Sequence, residues 1–283
     1  MTSVAAITIV HGRHEHLVAQ ECSLAAGTRP PDVRVIVSMD DPAVADLVDG
    51  ATVVPVEAHE LGLPLAAARN AGARTALAAG ADVLVFLDVD CLAGPDLVAD
   101  YADAVTTAPD RLWCGPVTYL PPAPEGGYPD DLAGWDDPHA ARPAPLPGER
   151  VEGGDPDLFW SLSFALHRAA WERIGGFDEA YVGYGGEDTD FGHRAVERGV
   201  PLGWTGGARA YHQHHPVERP PVSHLDDILR NGAVFARRWG RWPMTGWLEA
   251  FEQRGLVERD GDGWRRAGRA DSRETASTRQ EAS

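Results

Sequence analysis

Three short stretches hold residues whose types and spacing can do chemistry. The first is Asp88-Val89-Asp90. Two carboxylates at i and i+2 can both reach one cation where the backbone turns, and their hard oxygens suit Mg2+ or Mn2+. A solvated strand-to-helix cap, with Asp90 near the N-cap, fits the same residues. The second stretch is Gly185-Gly186-Glu187-Asp188. Glycine permits unusual backbone angles and close ligand approach, which makes Gly186 a candidate contact. Glu187 and Asp188 open a helix, whose dipole favours their ionised forms. An ionised carboxylate touching an acceptor hydroxyl is a competent general base. An acidic first helical turn with no chemistry is the alternative. The third stretch is Tyr211-His212-Gln213-His214-His215. Imidazole ligates Mn2+ or Zn2+, and in a strand His212 and His214 share a face. A polar loop with surface histidines is the alternative, for His214 and His215 above all. A further group, His11, His14 and His16, straddles a strand end and a helix start. A structural role at the strand end and helix start fits all three, with His11 also a candidate nucleotide contact.

The elements that must position these residues alternate along the first hundred positions. Short apolar, β-branched runs at Ala5 to Val10, Val33 to Ser38, Ala51 to Val56 and Val83 to Leu87 read as buried strands. Helical patterns at His14 to Ala26, Leu65 to Ala79 and Pro95 to Thr106 lie between and after them. This alternation predicts an α/β fold with a mostly parallel central sheet flanked by helices. In such sheets ligands sit outside the carboxyl ends of the strands. The residues just past those ends are His11-Gly12-Arg13, Asp40-Asp41, Glu57 and Asp88-Val89-Asp90. Separate loops are thereby expected to assemble one site.

Downstream, Pro121 to Arg150 holds eight prolines and reads as a long loop, a candidate lid. Leu162 to Leu166 reads as a strand, and Arg168 to Ile174, Thr189 to Arg198 and Leu225 to Trp239 as helices. Trp239, Trp242 and Trp247 belong to a C-terminal helical extension and fit core packing first, with an oligomer contact or a membrane-surface contact as alternatives. The expected organisation is a catalytic domain over 1–220, with a nucleotide-binding half (1–105) and an acceptor and metal half (106–220). The helical extension follows over 221–264, then a disordered tail over 265–283.

The composition narrows the function. Hydrophobic residues make up 43% of the 283, enough for a real core. No apolar run approaches the ~20 residues that span a bilayer, and no basic region opens the chain, so a cytoplasmic location is expected. Three scattered cysteines argue against a disulfide framework and a cysteine zinc site. All 25 bases are arginine, which excludes a lysine-dependent Walker loop. A net charge of −18 makes the chain a poor nucleic-acid binder. To hold a nucleotide diphosphate, such a chain needs local positive charge, and a divalent cation supplies it.

Taken in order, these motifs resemble glycosyltransferase family two, which has the GT-A fold; the resemblance covers roughly Val4 to Pro216. Gly62 to Ala73, with Arg69-Asn70-Ala71-Gly72, looks like that family's Arg-Asn-x-Gly helix. Ile174 to Glu179 and Tyr184 to Phe191 resemble the C-terminal half of β-1,4-galactosyltransferases and chondroitin-type polymerases. The resemblance implies an inverting transfer of a hexose from a nucleotide-diphosphate sugar, expected to be a UDP-sugar, to a hydroxyl of a glycan, glycolipid or small molecule. It implies that Asp40 contacts the uracil or its ribose side, that Arg69 approaches the diphosphate or helps shape its pocket, and that Asp88 contacts the donor ribose and sugar. Asp90 and His212 would ligate Mn2+ or Mg2+. Asp188 would be the base, with Glu187 holding a sugar. Tyr184 stands where the galactosyltransferases have Trp and keeps an aromatic platform for a sugar face. The first strand departs from the family: it leads into His11-Gly12-Arg13 rather than Pro-x-x-Asn-Arg. Competing readings are a nucleotidyltransferase, a zinc hydrolase built on the histidines, and a non-catalytic nucleotide- or glycan-binding module.

Overall fold

A computed structural model describes residues 2–268. These form two compact units, one running to Val217 and one starting at Glu218.

The first unit is built on β1 (Val4–Val10), α1 (His14–Ala25), β2 (Val33–Met39), β3 (Thr52–Val56), α2 (Leu65–Ala78) and β4 (Val83–Leu87). Every residue of β1 and β4 is buried, as expected of strands covered on both faces. After β4 come β5 (Cys91–Ala93), α3 (Leu97–Thr107), β6 (Leu112–Cys114), β7 (Val117–Tyr119) and β8 (Arg150–Glu152). The unit closes with β9 (Ser163–His167), α4 (Arg168–Ile174), α5 (Glu187–Glu197), β10 (Leu202–Thr205) and β11 (Ala210–His212). Among the described residues the main sheet runs β3-β2-β1-β4-β9-β6-β10-β8. The pairs β3-β2, β2-β1, β1-β4 and β6-β10 are parallel, whereas β9 is antiparallel to both β4 and β6. A small sheet, β5-β11-β7, lies next in sequence to the end of β4 through β5.

The close seating of α2 on the sheet depends on a missing side chain. A Cβ at Gly72 would stand 2.5 Å from Ile7 Cγ2 and 3.1 Å from Val37 Cγ2. Glycine lets α2 press onto β1 and β2, bringing Arg69 and Asn70 to the sheet's carboxyl edge. Below α2, Phe86, Phe164, Trp171, Phe177 and Phe191 form an aromatic core. Phe86 stacks on Phe164 at 4.5 Å and Phe177 on Phe191 at 4.2 Å.

Several expectations need correction. The turn after Asp90 enters β5, not a helix, so Asp90 is not a helix cap; α3 begins four residues after β5 ends. The helix whose apolar pattern was read from Thr189 opens at Glu187, as the acidic first turn implied, with Gly186 as its N-cap at φ 91°. The 121–150 loop is tied down rather than free: Leu132 and Arg142 are buried, and Pro138 bridges to Thr118. The Arg142 guanidinium lies over the rings of Trp160 and Trp204 at 5.3 and 4.9 Å.

The second unit holds α6 (Leu225–Trp239), α7 (Thr245–Gln253), β12 (Val257–Asp260) and β13 (Gly263–Arg266). It is therefore not purely helical. Arg265 and Arg266, read from the sequence as the start of the tail, pair in the β12-β13 hairpin. The rest of that tail, from 269, lies outside the described residues. Ile228, Leu248, Phe251 and Trp264 form the unit's core, with Trp242 and Trp247 packed against it. No helix among the described residues is long and apolar enough to cross a membrane.

Candidate active site

The end of β4 delivers Asp88 and Asp90 into a turn held from three sides. Cys91 N–H donates to the Asp88 carbonyl at 2.8 Å, and Gln213 N–H to the Asp90 carbonyl at 2.7 Å. From α1, the fully buried Gln20 donates to the carbonyls of Asp88 (2.6 Å) and Cys91 (3.0 Å). Gln20 in turn accepts from Thr8 of β1. Buried polar groups satisfied in this way fix one geometry.

Asp90 lies among cations and imidazoles. His212 Nε2 is 3.5 Å from its Oδ1, and His215 Nε2 is 3.5 Å from its Oδ2. Arg13 Nη1 is 3.4 Å from Oδ2. Burial pushes the Asp90 carboxyl up, but His215, His212 and Arg13 outweigh it and hold the group below its ordinary value. Burial lowers His212 from its ordinary value, Asp90 pulling the other way, and so favours the neutral imidazole with a lone pair to give. One ligand atom from each of Asp90, His212 and His215 lies within 4.8 Å of the others. A carboxylate with two imidazoles suits Mn2+ better than Mg2+, which prefers oxygen throughout.

The sequence singled out His212 but paired it with His214. The strand ends at His212, so alternation does not continue. The chain turns back and brings His215 to Asp90, while the His214 N–H donates to Tyr128 Oη at 3.0 Å. A further group absent from the sequence reading is Tyr119, which stacks on the His212 ring at 4.7 Å and is 44% exposed.

The second half of the site centres on Arg69, only 4% exposed. Its Nη2 donates to Asp88 Oδ1 at 3.1 Å and its Nη1 to Glu187 Oε1 at 3.2 Å. One guanidinium thus joins the strand-end carboxylate to the helix start, which lies 118 residues beyond Arg69. Its neighbour Asn70 performs the matching structural task. Asn70 Nδ2 donates to the Phe177 carbonyl (2.9 Å) and Glu179 (2.8 Å), and Asn70 Oδ1 accepts from Phe177 N–H (2.8 Å).

Burial raises Asp88 to about 6, Arg69 pulling the other way. Burial also raises Glu187, to about 7, and the adjacent Asp188 adds to the effect. Asp188 is raised by burial too, even though its Oδ1 accepts from Thr189 N–H at 2.7 Å. Glu187 Oε2 is buried and finds no hydrogen-bond partner among the described residues. Tyr184 is 38% exposed, and burial of its hydroxyl end with the Asp188 charge pushes it up to about 12.

The remaining strand-end residues sit further out. His11 Nδ1 meets the Met39 carbonyl at 2.7 Å. Asp40 is exposed, in the left-handed region at φ 48°, and its N–H donates to the Val56 carbonyl. The inward-facing acid of that pair is Asp41, whose Oδ2 accepts from Gly12 N–H and contacts His14 Nε2, both at 2.8 Å. The structure therefore gathers Arg13, Arg69, Asp88, Asp90, Glu187, Asp188 and His212 around connected contacts and adds His215. No contact among the described residues joins Asp40 to that set.

The strand order and the placement of this site define a GT-A glycosyltransferase fold. In fold and motif order the chain is like the proteins of glycosyltransferase family two. Residues 157–225, the segment carrying Glu187, Asp188, His212 and His215, match the family described as N-terminal domain of galactosyltransferase. The chain is 29% identical over 235 residues to a validoxylamine A glucosyltransferase of Streptomyces hygroscopicus subsp. limoneus, an alignment covering 75% of this chain and 51% of that protein. The chain spans about half the length of the curated relatives it matches. Among solved structures it is similar to S. aureus TarS 1-349 (TM-score 0.57, 12% identity, 83% of this chain and 65% of that one). It is also similar to GalNAc-T7 with UDP, GalNAc and Mn2+ (TM-score 0.54, 14% identity, 76% of this chain and 44% of that one).

Proposed function

We propose that this protein is an inverting glycosyltransferase that moves a hexose from a UDP-sugar to a hydroxyl acceptor, with Asp188 as general base. The observation that carries this reading is the Arg69 bridge. It ties a strand-end carboxylate, two residues from the Asp90-His212-His215 cluster, to the acidic helix start. A donor-binding group and a proton acceptor thereby share one rigid frame.

In this reading Asp188 accepts the proton of the acceptor hydroxyl as its oxygen bonds to the anomeric carbon. The bond from that carbon to the diphosphate oxygen breaks, and the nucleoside diphosphate leaves with the electron pair. Inversion follows from attack opposite the leaving group, through an oxocarbenium-like transition state. Asp188 keeps its own proton affinity high through burial, which suits a base working near neutral pH. Arg69 holds Asp88 against the donor sugar and orients Glu187 toward a sugar hydroxyl. Tyr184 and Gly186 flank the sugar, and His11, Arg13 and Asp40 line the nucleotide side. Asp90, His212 and His215 would hold Mn2+, which when bound supplies Lewis-acid neutralisation of the leaving diphosphate.

The same three side chains also suit zinc, so metal content and nucleotide dependence separate a transferase from a zinc hydrolase. The test is a thermal-shift screen of nucleotide-sugars with Mn2+ and with EDTA, followed by turnover of any donor that shifts the melt. UDP-glucose comes first, given the relatives' name. Stabilisation that needs both nucleotide and Mn2+ is expected. The variant Asp188→Asn should lose about 10²-fold or more in kcat with donor binding intact. Near-normal turnover by that variant removes Asp188 as the base.

A further inference from the structure

Arg13 stands out among the residues around Asp90 because it competes for an atom that the cation site needs. Its Nη1 is 3.4 Å from Asp90 Oδ2, the oxygen that also faces His215 Nε2. The backbone takes an unusual path to put it there. Gly12 and Arg13 both adopt left-handed conformations, at φ 59° and 50°. For a non-glycine residue that conformation carries a cost and persists only when its surroundings enforce it. Here Asp41 grips the Gly12 N–H, and Leu17 N–H donates to the Arg13 carbonyl to begin α1. The base of the side chain is therefore fixed, while the side chain as a whole is about one-third exposed.

We propose that Arg13 is a positioning residue that couples nucleotide and metal binding by moving between Asp90 and the nucleotide's diphosphate. This rests on the metal reading given above. A divalent ion at Asp90 Oδ2 and a guanidinium within contact distance of the same oxygen repel one another. Metal uptake without nucleotide therefore costs the Arg13-Asp90 ion pair. A diphosphate offers the guanidinium two anionic partners in place of one. With Arg13 so engaged, Asp90 is released to the metal. The coupling is reciprocal: Mn2+ must strengthen UDP binding by the factor by which UDP strengthens Mn2+ binding.

The experiment measures Mn2+ affinity by calorimetry and by electron paramagnetic resonance of free Mn2+, without and with saturating UDP, allowing for the Mn2+-UDP complex in solution. It compares the wild type with Arg13→Gln, Arg13→Met and Arg13→Lys. Removing the charge in either neutral variant should tighten Mn2+ binding without nucleotide by about fivefold, the scale of a partly exposed ion pair. It should shrink the UDP-induced gain in Mn2+ affinity by at least that factor. Arg13→Lys keeps the charge and should stay close to wild type in both. If wild type binds Mn2+ and the neutral variants match it with undiminished coupling, the role of Arg13 is overturned. If wild type takes up no Mn2+ even with UDP, the metal reading of Asp90, His212 and His215 falls, and this proposal with it.

Discussion

Glu187 shows what burial does to a single carboxylate. One oxygen rests on Arg69; the other has no hydrogen-bond partner among the described residues, and the group is raised to about 7. Its charged form is thus penalised only in the folded state. The folded protein binds more protons than the unfolded chain between the group's ordinary value, 4.5, and about 7. Stability should therefore fall as pH rises through that window. Glu187→Gln should flatten the trend, as read from melting temperatures between pH 5 and 8. The rate has the opposite sign, because transfer requires an ionised base: burial raises Asp188 above its ordinary value, so kcat/KM should fall as pH drops. The histidines make a second residue-scale prediction. His215→Ala should weaken Mn2+ binding at least about tenfold, as loss of metal-site groups commonly does, whereas His214→Ala should not. Equal effects from the two would break the assignment. Strand periodicity favoured His214, because nothing local announced that the strand would end at His212.

At the scale of elements, α2 links core packing to the site. Placing a methyl at Gly72 would push against Ile7 Cγ2 at 2.5 Å, a side chain with no exposed space to move into. Alanine gains up to about 1 kcal/mol in helix propensity over glycine. Overpacking a well-filled core costs about 1–3 kcal/mol, so Gly72→Ala should be net destabilising by urea denaturation. Activity should suffer too, since α2 carries Arg69. An unchanged urea midpoint would mean that α2 can lift from the sheet freely. The long elements were legible because their periodicity is local: β1, β4, α4 and α6 fall within a residue of expectation. The three-residue strands β5, β6, β7, β8 and β11 were not legible. So few residues carry no period of their own, and only their hydrogen-bonded partners make them strands.

For the whole molecule, charge is the dominant property. With a net charge of −18, self-repulsion opposes the compact state. Raising salt shortens the screening length from about 30 Å at 0.01 M to about 8 Å at 0.15 M. The melting temperature at neutral pH should therefore rise over that range; a fall would mean that favourable arginine ion pairs outweigh the repulsion. What the sequence settled alone was the parallel half of the sheet and the acids at its strand ends, since both follow from short-range alternation and from where such strands must stop. It also exposed the excess of acids over bases, 43 against 25. The tertiary structure decided the rest. It ran β9 antiparallel between β4 and β6, turned Asp41 inward instead of Asp40, and chose His215 over His214. It also set Arg13 against Asp90 and bridged Asp88 to Glu187 through Arg69. Each of these is a contact between residues far apart in the chain. The geometry of such contacts is fixed by how sheets and helices pack, which no local pattern of residue types encodes.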